Sequence, residues 1–153
     1  MADRYAPIAP TALSWDELGH LLEGLAYASR PIFAGAREVT ERYDLGPRGA
    51  FLLNLIAEGH CYPDKLAEKI KTLPSLITSD LARLKEAGLV SAAPCPNDRR
   101  RSKLALTEAG ERECNITRSN IARIVSENLA GFTPDQQQLF TDMLKAVRRV
   151  PEA

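Results

Sequence analysis

Two prolines constrain this chain more than anything else in it. Pro63 opens the run "PDKLAEKI", Pro74 opens "PSLITSDLARLKEAG", and only "KTL" lies between them. Proline lacks an N–H and fixes φ near about −65°, so it suits the first turn of a helix and breaks one anywhere deeper. Each run therefore reads as a short helix that cannot merge with its predecessor. Leu66, Ala67 and Ile70 make the inner face of the first. Ile77, Leu81 and Leu84 recur at helical spacing along the second, and Gly88 ends it as a C′ glycine. Beyond it, "LVSAA" and "SKLAL" read as short strands either side of the turn-rich "PCPNDRRR".

Two short helices joined by a tight turn and followed by a two-strand hairpin describe a winged helix-turn-helix. The fold expected is mainly α with a small β-hairpin wing. The flanks read as helices. Ser14 and Glu17 form a capping box before Leu18, Leu21, Leu22, Leu25, Ala28 and Ile32. Pro31 should kink or interrupt that helix, which resumes through Val39 and stops near "YDLGP". Pro47 starts another, carrying Phe51, Leu52, Leu55 and Ile56 to Gly59. After the hairpin, Thr107 caps a long helix with Glu108 and Glu111 in its first turn; Gly131 ends it. Thr133, Pro134 and Gln136 start the last, with Leu139, Phe140, Met143, Leu144 and Val147 as its apolar face. The outer helices carry long apolar stripes with little to pack against in a lobe this small, so they are expected to dimerise. The division expected is an N-terminal dimerisation helix in 1–44, a winged lobe in 45–106 and C-terminal dimerisation helices in 107–153.

The chain has 153 residues and zero formal net charge. That neutrality hides a separation: residues 61–106 hold nine basic and five acidic groups, a net +4, leaving −4 for the flanks. A basic middle on an acidic frame suggests one surface meant for an anion. No apolar run is long enough for a membrane span, and the first residues lack the pattern of a secretory signal. Three scattered cysteines without a CxxC argue for a reducing compartment, the cytoplasm by default. There is no Gly-rich phosphate loop, no metal-ligand spacing and no GxSxG, so neither an enzyme nor a cofactor or metal site is expected.

If Ile77, Leu81 and Leu84 face inward, Ser75, Leu76, Thr78, Ser79 and Arg83 face out. The N-terminal half of a recognition helix is the part that reaches base edges, and Leu76 suits a thymine methyl. Arg99, Arg100 and Arg101 at a hairpin tip, with Lys103 beside them, suit the phosphate backbone and a narrow minor groove. Asp98 is expected to orient Arg100. The competing readings are a solvated basic turn, a winged-helix protein-interaction module without DNA binding, and a thiol-based sensor using Cys95 between Pro94 and Pro96. A small-molecule site is sought at His20, Tyr27, Arg30 and Phe51, where aromatic rings and an arginine would hold a carboxylated ring.

The segment "LAEKI…SLITSDLARLKEAGLVSAAPCPNDRRRSKLALTEAGE" resembles the DNA-binding core of the MarR family of bacterial transcriptional regulators. The resemblance rests on Leu66-Ala67-Glu68, on Arg83-Leu84 through Gly88-Leu89-Val90, and on Asp98-Arg99-Arg100 through Leu104, Leu106, Thr107 and Gly110. It covers Tyr43–Gly110; the flanks agree in pattern. It implies a homodimer with interwoven terminal helices, two winged lobes on a pseudo-palindromic double-stranded operator, and a small effector, an aromatic acid or its thioester. The chain departs from the family at Leu73 and Tyr62, where a hydroxylic cap is usual, and at Ser79, where arginine is often found. Those departures imply poorer direct base readout and more weight on the wing and phosphates.

Overall fold

The computed structural model describes residues 14–95 and 98–148, and for 98–101 the backbone only. The elements run α1 (Trp15–Tyr27), α2 (Arg30–Arg42), α3 (Pro47–Ala57), α4 (Pro63–Ile70), α5 (Pro74–Glu86), β1 (Val90–Cys95), β2 (Asp98–Leu106), α6 (Glu108–Asn128) and α7 (Pro134–Val147). The expected mainly helical fold with a hairpin wing is observed. The chain divides into two units, Met1–Arg30 and Pro31–Ala153.

In the first unit Ser14 caps α1. Its hydroxyl accepts from the Glu17 N–H, and the Glu17 carboxylate accepts from the Ser14 N–H at 2.8 Å. That N–H holds the Glu17 carboxyl below its usual range. Pro31 does more than kink the helix: it stands at the second position of α2, so one expected helix is two.

The core of the second unit is one cluster built by α2 to α5 and the wing: Val39, Leu52, Leu53, Leu66, Ile77, Leu84, Leu89 and Leu104 are among its members. The helix α3 is central, burying Leu52, Leu53, Leu55 and Ile56 together with Gly49 and Ala50. A helix that is apolar on most sides belongs inside a fold. Each buried leucine or isoleucine removes enough apolar surface to contribute about 1.5–3 kcal/mol.

The base of the wing is closed by Thr107. Its N–H donates to Leu89 O at 3.0 Å, its hydroxyl donates to Gly88 O at 2.6 Å, and the same oxygen accepts from the Gly110 N–H at 3.0 Å. One side chain thus joins the end of α5 to the start of α6. Gly110 permits the approach, since a Cβ there would lie 2.0 Å from Leu89 O. Further along α6, Gly35 of α2 lets the two helices cross in contact: a Cβ there would lie 2.5 Å from Ile121 Cγ1.

The hairpin is antiparallel, with Val90 opposite Leu106, Ala92 opposite Leu104 and Pro94 opposite Ser102. Both strands are longer than the sequence suggests. Pairing is irregular between Pro94 and Cys95, where the next partner is Asp98. Proline cannot donate to the ladder, which favours such an irregularity. Arg99, Arg100 and Arg101 fall in the interval it opens and run in β2, not in a turn. At the far end, α6 stops at Asn128, earlier than Gly131. The last helix has the expected Thr133–Gln136 capping box but buries no residue; nor does α1. No helix among the described residues is long and apolar enough to cross a membrane.

Thr107→Val should lower stability by about 1–2 kcal/mol, as loss of an N-cap does, with Thr107→Ser recovering most of it. Thermal unfolding of the variants checks this. Thr117 offers the opposite case: its hydroxyl is buried without a hydrogen-bond partner. Thr117→Val should therefore leave the melting temperature unchanged or raise it.

Candidate nucleic-acid interface

The site is assembled from the turn outward. Helix α4 ends at Lys71, which sits in the left-handed region at φ 50°. A lysine there carries local strain of roughly 1 kcal/mol, held in place by Thr72 N–H donating to Ala67 O. Leu73 is the N-cap of α5 and offers no side-chain cap; Pro74 supplies the first helical residue instead. Tyr62 stands in the same relation to α4 and Pro63. Prolines, not polar caps, start both helices of the motif.

From Pro74 the stripe Ile77, Leu81 and Leu84 turns into the core and is almost wholly buried. Ser75, Leu76, Thr78, Ser79 and Arg83 are exposed on the other side of α5, as expected. Thr78 is partly occupied, its hydroxyl donating to Pro74 O at 3.0 Å. Asp80, at the edge of the stripe, is ion-paired with Arg48 from the start of α3. That bond holds the Arg48 guanidinium above its usual pKa. It also fixes the rotation of α5 against α3 by a second, directional contact besides packing.

The wing and α5 share one core, since Leu84, Leu89, Val90 and Leu104 belong to the same cluster. Leu104 N–H also donates to Cys61 O at 2.8 Å, tying β2 to the entrance of α4. Lys103 is exposed on β2. The side chains of Asp98, Arg99, Arg100 and Arg101, and with them the expected Asp98–Arg100 pair, lie outside the described residues. A cleft of about 490 Å³ opens between α4 and α5, with Asp64, Glu68 and Lys71 on its rim. Two carboxylates against one lysine make it a poor seat for an anion.

The sequence does not announce a second polar assembly. Glu113 on α6 is only 7% exposed and receives Arg42 at 2.8 and 3.0 Å and the Tyr43 hydroxyl at 3.0 Å. Arg42 also donates to Glu38, and Asn120 reaches Glu38 from α6. The Glu113 carboxylate raises the Arg42 pKa. A signal did exist: Glu113 shares an inner face with Gly110, Cys114 and Thr117, and a carboxylate there must be paired.

Of the candidate effector residues, Tyr27 and Arg30 are brought together, the guanidinium lying 3.7 Å from the ring centroid. His20 is exposed on α1, and Phe51 is exposed on α3 in the other unit. Burial pushes the Cys114 thiol up, away from the reactive thiolate. Cys61 is half-buried, its Sγ donating to Gly59 O, and Cys95, the candidate sensor thiol, is half-buried as well.

Residues 47–102 match the family model of the MarR family. Over these residues the winged lobe is similar to the MarR family. The likeness in fold extends beyond it. Wild-type MarR from E. coli in its apo form superposes with a TM-score of 0.64 at 21% identity, over 92% of this chain and 100% of that one. A cysteine-to-serine mutant of E. coli MarR complexed with operator DNA gives 0.69 at 23%, over 86% and 94%. A MarR-family transcriptional regulator from Rhodococcus sp. RHA1 gives 0.67 at 22%, over 90% and 97%.

Arg48→Ala should loosen α5 without unfolding the winged lobe. Amides of α5 should exchange about threefold to tenfold faster, while those of β1 keep their rates. Hydrogen exchange by mass spectrometry reads this directly, and Asp80→Asn should reproduce it.

Proposed function

We propose that this chain is a sequence-specific DNA-binding transcriptional regulator that acts as a homodimer, a repressor released by a small aromatic or phenolic compound. One observation carries the reading. The second helix of a helix-turn-helix exposes Ser75, Leu76, Thr78, Ser79 and Arg83, in a lobe that is similar to the MarR family and whose wing strand holds three consecutive arginines. Small side chains allow the helix to enter a major groove closely, and a basic strand beside it suits the phosphates. The operator-bound E. coli MarR shows the fold in that use for that protein.

Dimerisation is assigned to the terminal helices. Phe140, Met143 and Val147 on α7, and Trp15 and Leu21 on α1, are exposed. Large apolar side chains exposed along one helix, as Phe140, Met143 and Val147 are, suit an interaction surface. Two lobes so joined would present two α5 helices to successive turns of a pseudo-palindrome, about 34 Å apart. An effector would favour a dimer with a different spacing and so release DNA. The stacked Tyr27–Arg30 pair is the proposed anchor for the carboxylate of an aromatic acid or its thioester, with the guanidinium edge left to bind it.

The test is fluorescence anisotropy with duplexes selected by the protein, across a salt series. Affinity should fall steeply with salt, by a slope near −0.9 per neutralised phosphate in logarithmic form. Arg100→Ala should weaken binding at least about tenfold and make the slope shallower by about one. Absence of binding at low salt would favour an interaction module that does not use DNA. Unchanged affinity in Arg100→Ala would remove the wing from the interface.

A further inference from the structure

The leading end of α5 has a chemistry of its own. Leu73, the N-cap, is 66% exposed and Leu76 is 40% exposed. Single exposed leucines are ordinary. These two flank Pro74 and Ser75 on the part of the helix that would go deepest into a groove. The polar groups around them are few and partly occupied. The Thr78 hydroxyl proton is held by Pro74 O, and Asp80 is held by Arg48. Between Pro74 and Ala82 the exposed residues include no Asn, Gln, Arg or Lys, the side chains that grip adenine or guanine edges with two bonds. Arg83 comes only in the third turn.

The major groove offers one apolar mark in its code, the C5-methyl group of thymine. An end furnished with two exposed leucines and a few small hydroxyls can discriminate base pairs mainly by that mark. Resting on the DNA-binding reading above, we infer that Leu73 and Leu76 are specificity-determining residues that recognise pyrimidine C5-methyl groups beneath the start of α5. Operator positions there are read as thymine by apolar contact, not by paired hydrogen bonds. The same contact accepts 5-methylcytosine, which presents the same methyl group, while unmethylated cytosine and uracil leave the leucines against a gap.

The probe is a duplex selected from a randomised library by the full-length protein, with each thymine replaced in turn by deoxyuridine. One or two positions in each half-site should lose about threefold to fivefold in affinity, the effect of removing one buried methyl group. At those positions cytosine should bind less well than 5-methylcytosine, each paired with guanine. In Leu76→Ala or Leu73→Ala the penalty for deoxyuridine should vanish at the position that leucine covers. Both residues are exposed, so the variants should keep the parent melting temperature. Tight binding that is indifferent to deoxyuridine everywhere, or a penalty that persists in both variants, overturns the inference and leaves the DNA-binding reading standing. Failure to select any duplex removes that reading and the inference together.

Discussion

The burial of Ile77, Leu81 and Leu84 beneath α5 is the constraint on which the rest of the lobe depends. With these three in the core, the rotation of the helix is settled and Ser75, Leu76, Thr78 and Ser79 have nowhere to go but outward. Two contacts protect that rotation. Asp80 is held by Arg48 from the side of α3. Thr107 bonds the far end of α5 to the wing and to α6. A helix anchored by packing, by an ion pair and at its C-terminal end can present its first turns as a rigid edge, which recognition of a duplex requires.

The sequence was a good guide wherever structure is dictated locally. Prolines at the first turn placed the start of α3, α4, α5 and α7, and α4 runs as expected from Pro63 to Ile70. Hydroxylic caps at Ser14, Thr107 and Thr133 all accept the bonds expected of them. Local signals were weaker where pairing decides the outcome. The strands of the wing extend past Ala93 and back to Asp98 because the partner strand is there to bond, not because the residues prefer it. That placed the three arginines in β2 when their composition pointed to a turn.

What could not be read was long-range polar pairing. Arg48 with Asp80 and Arg42 with Glu113 join residues far apart in sequence, and no periodicity encodes such partners. Glu113 was detectable as a buried carboxylate, though not its mate. This pair has a structural consequence: it joins α2 to α6 at a second point, about two turns from their contact at Gly35 and Ile121. Within the second unit the winged lobe and the first half of α6 are therefore bound by core, latch and ion pair, whereas α7 contributes no buried residue. Such a division suits a protein in which one part grips a duplex and another part meets a second copy.

The central claim is that the outward edge of α5 and the arginine-bearing strand of the wing form one surface for DNA. Hydrogen exchange on the full-length protein, with and without a duplex it has selected, tests this most directly. The account predicts slowed exchange in residues 74–83 and 98–103 together, with the amides of α7 little changed. Slowing in only one of the two segments, or mainly in α7, would contradict it.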